Sequence, residues 1–183
     1  MSSENSVFVK DKTIVFSGLV DHESVGKIMM TIRAFEDDDN DNAAHIKDYK
    51  REPINLIIST QGGSVYDALG LVDMIESCKT PVHTYAYGKI MSAGIYIYVA
   101  GHKRFCGKFT TFMYHESQAT FDDCHSILNS RSKEMDRLEK VMNGILMSKT
   151  KITEKKLKEW HNEREAYIDS IEALKLGIVN EIL

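Results

Sequence analysis

Covalent and metal staples are nearly absent from this chain. It has three cysteines, Cys78, Cys106 and Cys124, odd in number and far apart, with no CxxC pair and no Cys/His cluster. Such spacing reads as reduced, packed thiols, and neither a disulfide framework nor a zinc site is expected. None of the three lies in a glycine-flanked turn, so none is expected as a nucleophile. No apolar run is long enough to span a bilayer. The first residues, Met1-Ser2-Ser3-Glu4-Asn5-Ser6, are polar and lack the charged-then-apolar pattern of a secretory signal, so a cytoplasmic location is expected. The formal net charge of -4 is spread over both signs without a basic stripe, which leaves no footprint for nucleic acid or a membrane surface. There is no Walker pattern and no GxGxxG, and nothing repeats at a solenoid period.

What the chain does have is enough apolar material for one core. At 183 residues and 43% hydrophobic content, a single domain over residues 1–183 is expected, large enough to fold without staples. Thr13–Val20 reads as a strand, and Asp21 can cap a helix with Val25, Ile28, Met29, Ile32 and Phe35 at helical spacing. The acidic run from Glu36 to Asn42 reads as a solvated loop within an insertion over about 36–50. A calcium loop is the poorer reading there, because Asn42 stands where the turn glycine belongs and Asp48 where a bidentate glutamate belongs. Ile54–Thr60 is a second strand, running into Gln61-Gly62-Gly63-Ser64. The helix after it carries Val65, Ala68, Leu69, Val72 and Ile75 on one face, with Ser64 and Asp67 in a capping-box pattern. Val82–Tyr87 is a third strand, closed by Gly88, and Ser92–Ala100 is a helix so apolar that it must be buried on several sides. Short strands are expected at Phe105 and Thr111–Tyr114. A long amphipathic helix is expected from about Asp123 to Lys149, with Ile127, Met135, Leu138, Met142 and Ile145 inward. Thr153 can cap a further helix through Trp160. Asp169 and Glu172 form another capping-box pattern before a short helix ended by Gly177, and Ile178–Leu183 is a last strand. Strand–helix alternation of this kind predicts an α/β domain with mainly parallel pairing.

Two strand-to-helix turns stand out chemically. Gly62-Gly63 lets the backbone take conformations closed to other residues and brings bare N–H groups to the surface. Gly88-Lys89-Ile90-Met91-Ser92-Ala93-Gly94 sets a small hydroxyl at a helix N-terminus, where unpaired N–H donors and the positive dipole end favour an attacking oxygen and the oxyanion it creates. Taken singly, a Gly-Gly turn is most often only a turn and such a serine only a cap. A base is also needed, and His115, one of seven histidines, ends a predicted strand where a side chain can face a cleft.

The order of the pieces adds specificity. Gly62-Gly63-Ser64-Val65, then Met91-Ser92-Ala93-Gly94, then Lys103-Arg104-Phe105-Cys106, then Tyr114-His115, resembles the Clp protease proteolytic-subunit (ClpP, S14-like) family from about Lys12 to Leu183. Glu172-Ala173-Leu174-Lys175-Leu176-Gly177-Ile178-Val179 is similar to that family's closing motif. The resemblance implies an α/β crotonase-like fold of repeated strand–strand–helix units and a serine endopeptidase acting on protein or peptide substrates. It further implies Ser92 as nucleophile, His115 as general base, and the backbone N–H groups of Gly63 and Ala93 as oxyanion donors. The third member falls at Glu165 by alignment to the closing motif, with Asp169 as its rival. No metal or organic cofactor is implied. A homo-oligomeric ring, often a heptamer, is implied, alone or stacked as a double ring. An AAA+ unfoldase would be a separate partner.

The chain also departs from the family. His115-Glu116-Ser117 stands in place of His-Gln-Pro, and the glycine-rich segment that follows is shortened to Gln118-Ala119-Thr120-Phe121, which weakens the case for a double ring over a single one. Compact members of this sort resemble those encoded by phages and prophages. Three other readings stay open: a Ser–Lys peptidase of the signal-peptide-peptidase type using Lys89, a ring-forming scaffold whose triad has drifted, and an acyl-CoA enzyme using the Gly63 and Ala93 donors.

Overall fold

Alternating apolar residues build a sheet that begins one strand earlier than the sequence predicts. The computed structural model describes residues 5–115 and 125–183, with side chains from residue 129 onward in the second stretch. Cys124, Glu116, the segment 118–121 and the side chain of Ile127 lie outside the described residues. Strand β1 (Ser6–Lys10) pairs antiparallel with β2 (Thr13–Val20). The two residues between them, Asp11 and Lys12, have φ of 47° and 55°, the double positive φ of a tight type I′ hairpin.

Helix α1 (His22–His45) starts at Asp21, whose side chain accepts from Ser24 N while the Ser24 hydroxyl accepts from Asp21 N. Val25, Ile28 and Ile32 are buried as the periodicity predicts. The expected acidic loop is corrected here: Glu36–Asn42 lies inside this helix. The inward stripe simply continues with carboxylates in place of methyls. Glu36, 6% exposed, accepts from the backbone N–H of Lys79 at 2.7 Å. Asp39 is fully buried and accepts from Lys12 Nζ, Tyr49 OH and Thr80 Oγ1, each at 2.6 Å. A buried carboxylate is tolerated when paired and hydrogen-bonded in this way.

Strand β3 (Ile54–Gly63) leads to α2 (Val65–Ser77), N-capped by the Ser64 hydroxyl accepting from Asp67 N. Strand β4 (Val82–Met91) leads to α3 (Ala93–Ala100), all eight of whose residues are buried. The chain continues through β5 (Lys103–Cys106), β6 (Thr111–His115), α4 (His125–Lys149) and α5 (Glu154–Glu163) to β7 (Glu165–Ile168), α6 (Ser170–Lys175) and β8 (Glu181–Ile182). The last strand is shorter than expected, and β7 has no counterpart in the sequence reading.

Strands run in the order β1-β2-β3-β4-β5-β8, with β6 pairing β4 beyond the end of β5 and β7 pairing β6. Among the described residues, pairing is parallel from β2 to β5, at β4–β6 and at β5–β8, and antiparallel at β1–β2 and β6–β7. Ile14, Phe16, Leu56, Ile58 and Ala86 are buried in the core that also holds inward residues of α1, α2 and α3. The alternate residues of the same strands, Val15, Ile57 and Tyr85 among them, are only partly covered, and the Tyr85 and Phe105 rings stack at 4.8 Å.

Arg104 of the Lys103-Arg104-Phe105 motif closes the domain. It is 9% exposed, and its guanidinium donates to the carbonyls of Ile178, Gly101, Lys149 and Gly177 at 2.8–3.2 Å. One side chain thereby gathers the ends of α3, α4 and α6. Among the described residues no helix is long and apolar enough to cross a membrane.

Candidate active site

Ser92 sits between β4 and α3 in a conformation that serine rarely takes, φ 53° and ψ -129°. Backbone there is strained for any residue with a Cβ, and such strain collects where a side chain must be presented at a sharp strand-to-helix turn. The Ser92 side chain makes no capping bond to its own helix, so the simple capping role does not describe it. Its hydroxyl lies 2.7 Å from His115 Nε2. In the neutral imidazole with its proton on Nδ1, Nε2 accepts from that hydroxyl.

The sheet fixes this approach. Lys89, Ile90 and Met91 pair with Thr111, Phe112 and Met113 across β4–β6, and the ladder is extended by Ser92 N donating to Met113 O at 2.8 Å. Serine and histidine thus hang from neighbouring strands a few residues beyond their last shared pairing. Gly94, the second residue of α3, lets the helix settle on β3: a Cβ there would come 2.3 Å from Thr60 Cγ2.

The Gly62-Gly63 turn packs on the same spot. Gly63 has φ 148°, and a Cβ on it would fall 2.2 Å from Val20 O. Ser64 N donates to that carbonyl at 2.8 Å, and Gly62 N donates to Thr60 Oγ1 at 3.0 Å. Gly63, Ser92, Ala93 and His115 border one cleft of about 430 Å³. Its remaining wall is mostly apolar, with Val65, Tyr96, Met135, Leu138 and Met142, joined by Ser64 and Tyr66. A hydroxyl and an imidazole in hydrogen-bond contact at the mouth of one cleft are two of the parts that nucleophilic attack on a carbonyl requires.

The remaining sequence-derived residues fall as follows. Glu165 is the direct partner of His115 across the antiparallel β6–β7 pair, which sets both side chains on one face of the sheet. It is exposed, and its Oε2 accepts from Tyr167 OH at 2.9 Å. Asp169 caps α6, accepting from Glu172 N at 2.8 Å. Lys89 is exposed and donates to Gln61 Oε1 at 3.4 Å. Cys78 and Cys106 are buried free thiols, and burial pushes the Cys106 thiol up to about 11, far from a reactive thiolate. Among the described residues no cluster of His, Cys, Asp or Glu is arranged to hold a metal ion. Sequence reasoning missed Tyr66 and α4 residue Glu134 at the cleft rim, whose contact spans 68 residues and has no local signal.

Fold and cleft together define an α/β domain with a serine–histidine pair at a strand-to-helix turn. The sequence profile of the Clp protease family matches residues 2–183, and the chain belongs to that family of peptidases. It is 28% identical over 179 residues to an ATP-dependent Clp protease proteolytic subunit of Cyanophora paradoxa, covering 97% of this chain and 87% of the relative. It is 24% identical over 134 residues to ATP-dependent Clp protease proteolytic subunit 2 of Treponema pallidum (strain Nichols), covering 72% and 67%. A solved structure of a ClpP1 mutant from Listeria monocytogenes superposes with a TM-score of 0.79 at 26% identity, covering 94% of this chain and 91% of that one.

Proposed function

We propose that this chain is a serine endopeptidase of the Clp proteolytic-subunit type, working through an acyl-enzyme on Ser92. The observation that carries the reading is the 2.7 Å contact between Ser92 Oγ and His115 Nε2 at the head of a buried helix. In the first half-reaction Ser92 Oγ attacks the peptide carbonyl carbon and its proton passes to His115 Nε2. The carbonyl oxygen takes up negative charge, which the N–H groups of Gly63 and Ala93 would stabilise. The C–N bond then breaks, and His115 returns the proton to the departing amine. In the second half a water, deprotonated by His115, attacks the ester carbonyl and Ser92 leaves as the free hydroxyl. Glu165, opposite His115 in the sheet, is the reading's choice to orient the imidazole through Nδ1. The apolar cleft wall suits an apolar side chain beside the scissile bond.

Assembly into a homo-oligomeric ring, and feeding by a separate AAA+ unfoldase in the cytoplasm, belong to the same reading. The partly covered sheet face around Val15, Ile57, Tyr85 and Phe105, with exposed Phe8 at its edge, supports burial against another chain.

The experiment is active-site labelling. The protein is first sized, so that a dispersed subunit is not mistaken for an inactive one. It is then treated with a fluorophosphonate, and the adduct is located by mass spectrometry. Labelling at Ser92 that disappears in His115→Ala is the expected result. An assembled, folded protein that takes no label overturns the reading in favour of a ring scaffold or an acyl-CoA enzyme.

A further inference from the structure

We infer that Tyr66 and Glu134 are positioning residues that set the width of the substrate cleft, and with it the preference for large over small apolar side chains beside the scissile bond. The inference rests on the serine-peptidase reading above. Tyr66 is the second residue of α2, three positions after Gly63, so its backbone moves with the oxyanion turn. Its ring lines the cleft, and its hydroxyl donates to Glu134 Oε1 at 2.8 Å. Glu134 in turn receives a fork from Arg137 one turn along α4, Nε to Oε2 and Nη2 to Oε1, both at 2.8 Å.

The next residues on those turns of α4 are the cleft wall itself: Met135 follows Glu134, Leu138 follows Arg137, and Met142 lies one turn further on. Farther along, α4 is anchored by buried Leu138, Met142 and Leu146 and by the Lys149–Glu76 ion pair at 2.7 Å. Toward its N-terminus the helix emerges, residues 129–133 being exposed. Met135 therefore sits between a firmly packed stretch and an exposed one. The Tyr66–Glu134 bond ties that position to the opposite rim of the cleft. Arg137 first, and Tyr66 second, hold the Glu134 carboxyl down to about 2, so the acceptor stays ionised throughout the neutral range. A charged acceptor makes the stronger class of hydrogen bond.

With the tie in place, the gap between Val65 and Tyr96 on one side and Met135 and Leu138 on the other has a fixed width. On this inference a leucine side chain gains more from that fixed width than an alanine side chain, which has less surface to bury against the wall. Without the tie, Met135 can withdraw or fold inward, and the two substrates are distinguished less well.

The test compares the wild type with Tyr66→Phe, which keeps the ring in the wall and removes only the donor. Fluorogenic peptides carrying leucine or alanine immediately before the scissile bond are used, on protein sized as an intact assembly. The expected result is a fall of about three- to ten-fold in the leucine-to-alanine ratio of kcat/KM, the scale of one hydrogen bond. It should arise mainly from a higher KM for the leucine peptide. Glu134→Gln, which leaves an acceptor for Tyr66, should keep more of the ratio than Glu134→Ala. A ratio unchanged in Tyr66→Phe, or a loss of kcat common to both peptides, overturns the inference. A wild type that takes no fluorophosphonate at Ser92 overturns the serine-peptidase reading and this inference with it. A labelled wild type with an unmoved ratio overturns only the inference.

Discussion

Gly62 and Ser92 lie so close that a Cβ on Gly62 would stand 2.6 Å from the Cβ of Ser92 and 2.8 Å from the carbonyl oxygen of Met91. Two turns far apart in sequence are thereby interlocked, and the position of the hydroxyl depends on a residue with no reactive group. Gly62 also has φ 94°, a region where side chains are strained.

Gly62→Ala should therefore displace Ser92 without touching it chemically. The expected outcome is a fall in kcat/KM of at least about 100-fold, the scale that misplacing a reacting atom by about 1 Å produces. Fluorophosphonate labelling should slow in parallel while far-UV circular dichroism stays close to wild type. Full labelling at the wild-type rate would show that the turn can yield elsewhere.

Glu165 and Asp169 can be separated because their surroundings differ. The proposed reading gives Glu165 the orienting of His115, so on that reading Glu165→Ala lowers kcat by at least about 100-fold, since an unoriented imidazole loses most of its value as a base. Asp169→Ala removes a helix cap, at a cost of about 1 kcal/mol in stability, and should leave kcat within a few-fold. Steady-state kinetics and a thermal melt on each variant distinguish the two. Tyr167→Phe releases the Glu165 oxygen held at 2.9 Å and should leave kcat equal or higher.

The Arg104 guanidinium donates to backbone carbonyls, and its burial lowers its affinity for the proton relative to an ordinary arginine. Arg104→Met keeps much of the volume but leaves those carbonyls without their donor. A loss of ~3 kcal/mol is expected, on the scale of unsatisfied buried polar groups. For a chain of this size that is a fall of roughly 6–12 °C in Tm by calorimetry. A change of a degree or less would mean that water takes over the carbonyls.

Asp39 gives the fold an acid-sensitive joint. Burial works against its ionisation, but the bonds from Lys12, Thr80 and Tyr49 outweigh it, and its carboxyl is held below the ordinary value. A carboxylate depressed in the folded state contributes stability in full above its unfolded value of about 3.9 and loses it as pH falls through the lower folded value. Urea unfolding followed from pH 6 to pH 2 should show stability dropping over that acid range. Asp39→Asn, less stable at neutral pH, should show a shallower drop.

The elements that were legible in the sequence are those whose signals are local. Val65, Ala68, Val72 and Ile75 recur at helical spacing, Ser64 caps them, and the apolar run after Ser92 admits no exposed face; the structure has α2 and α3 there. The nearness of Ser92 to His115 was legible only through the order of motifs, because the contact is made by pairing between β4 and β6. The acidic stretch misled for the converse reason. Asp39 reads as solvated until Lys12 and Thr80, 27 and 41 residues away, are brought to it. Strand β7 has four residues, too few for periodicity to register, and its place is set by its register against β6. Tyr66 carries no signal of its own in the sequence, and nothing near it in the chain announces Glu134, 68 residues away.

Because every residue of α3 is buried, the hydroxyl at its head has no private hinge. A nucleophile on a loop can lose its aim while the rest of the protein stands, and heat then inactivates before it unfolds. Here the aiming device is the middle of the molecule. On the proposed reading, loss of labelling at Ser92 on heating should trace the calorimetric transition rather than precede it, which would let that serine serve as a thermometer for the whole fold.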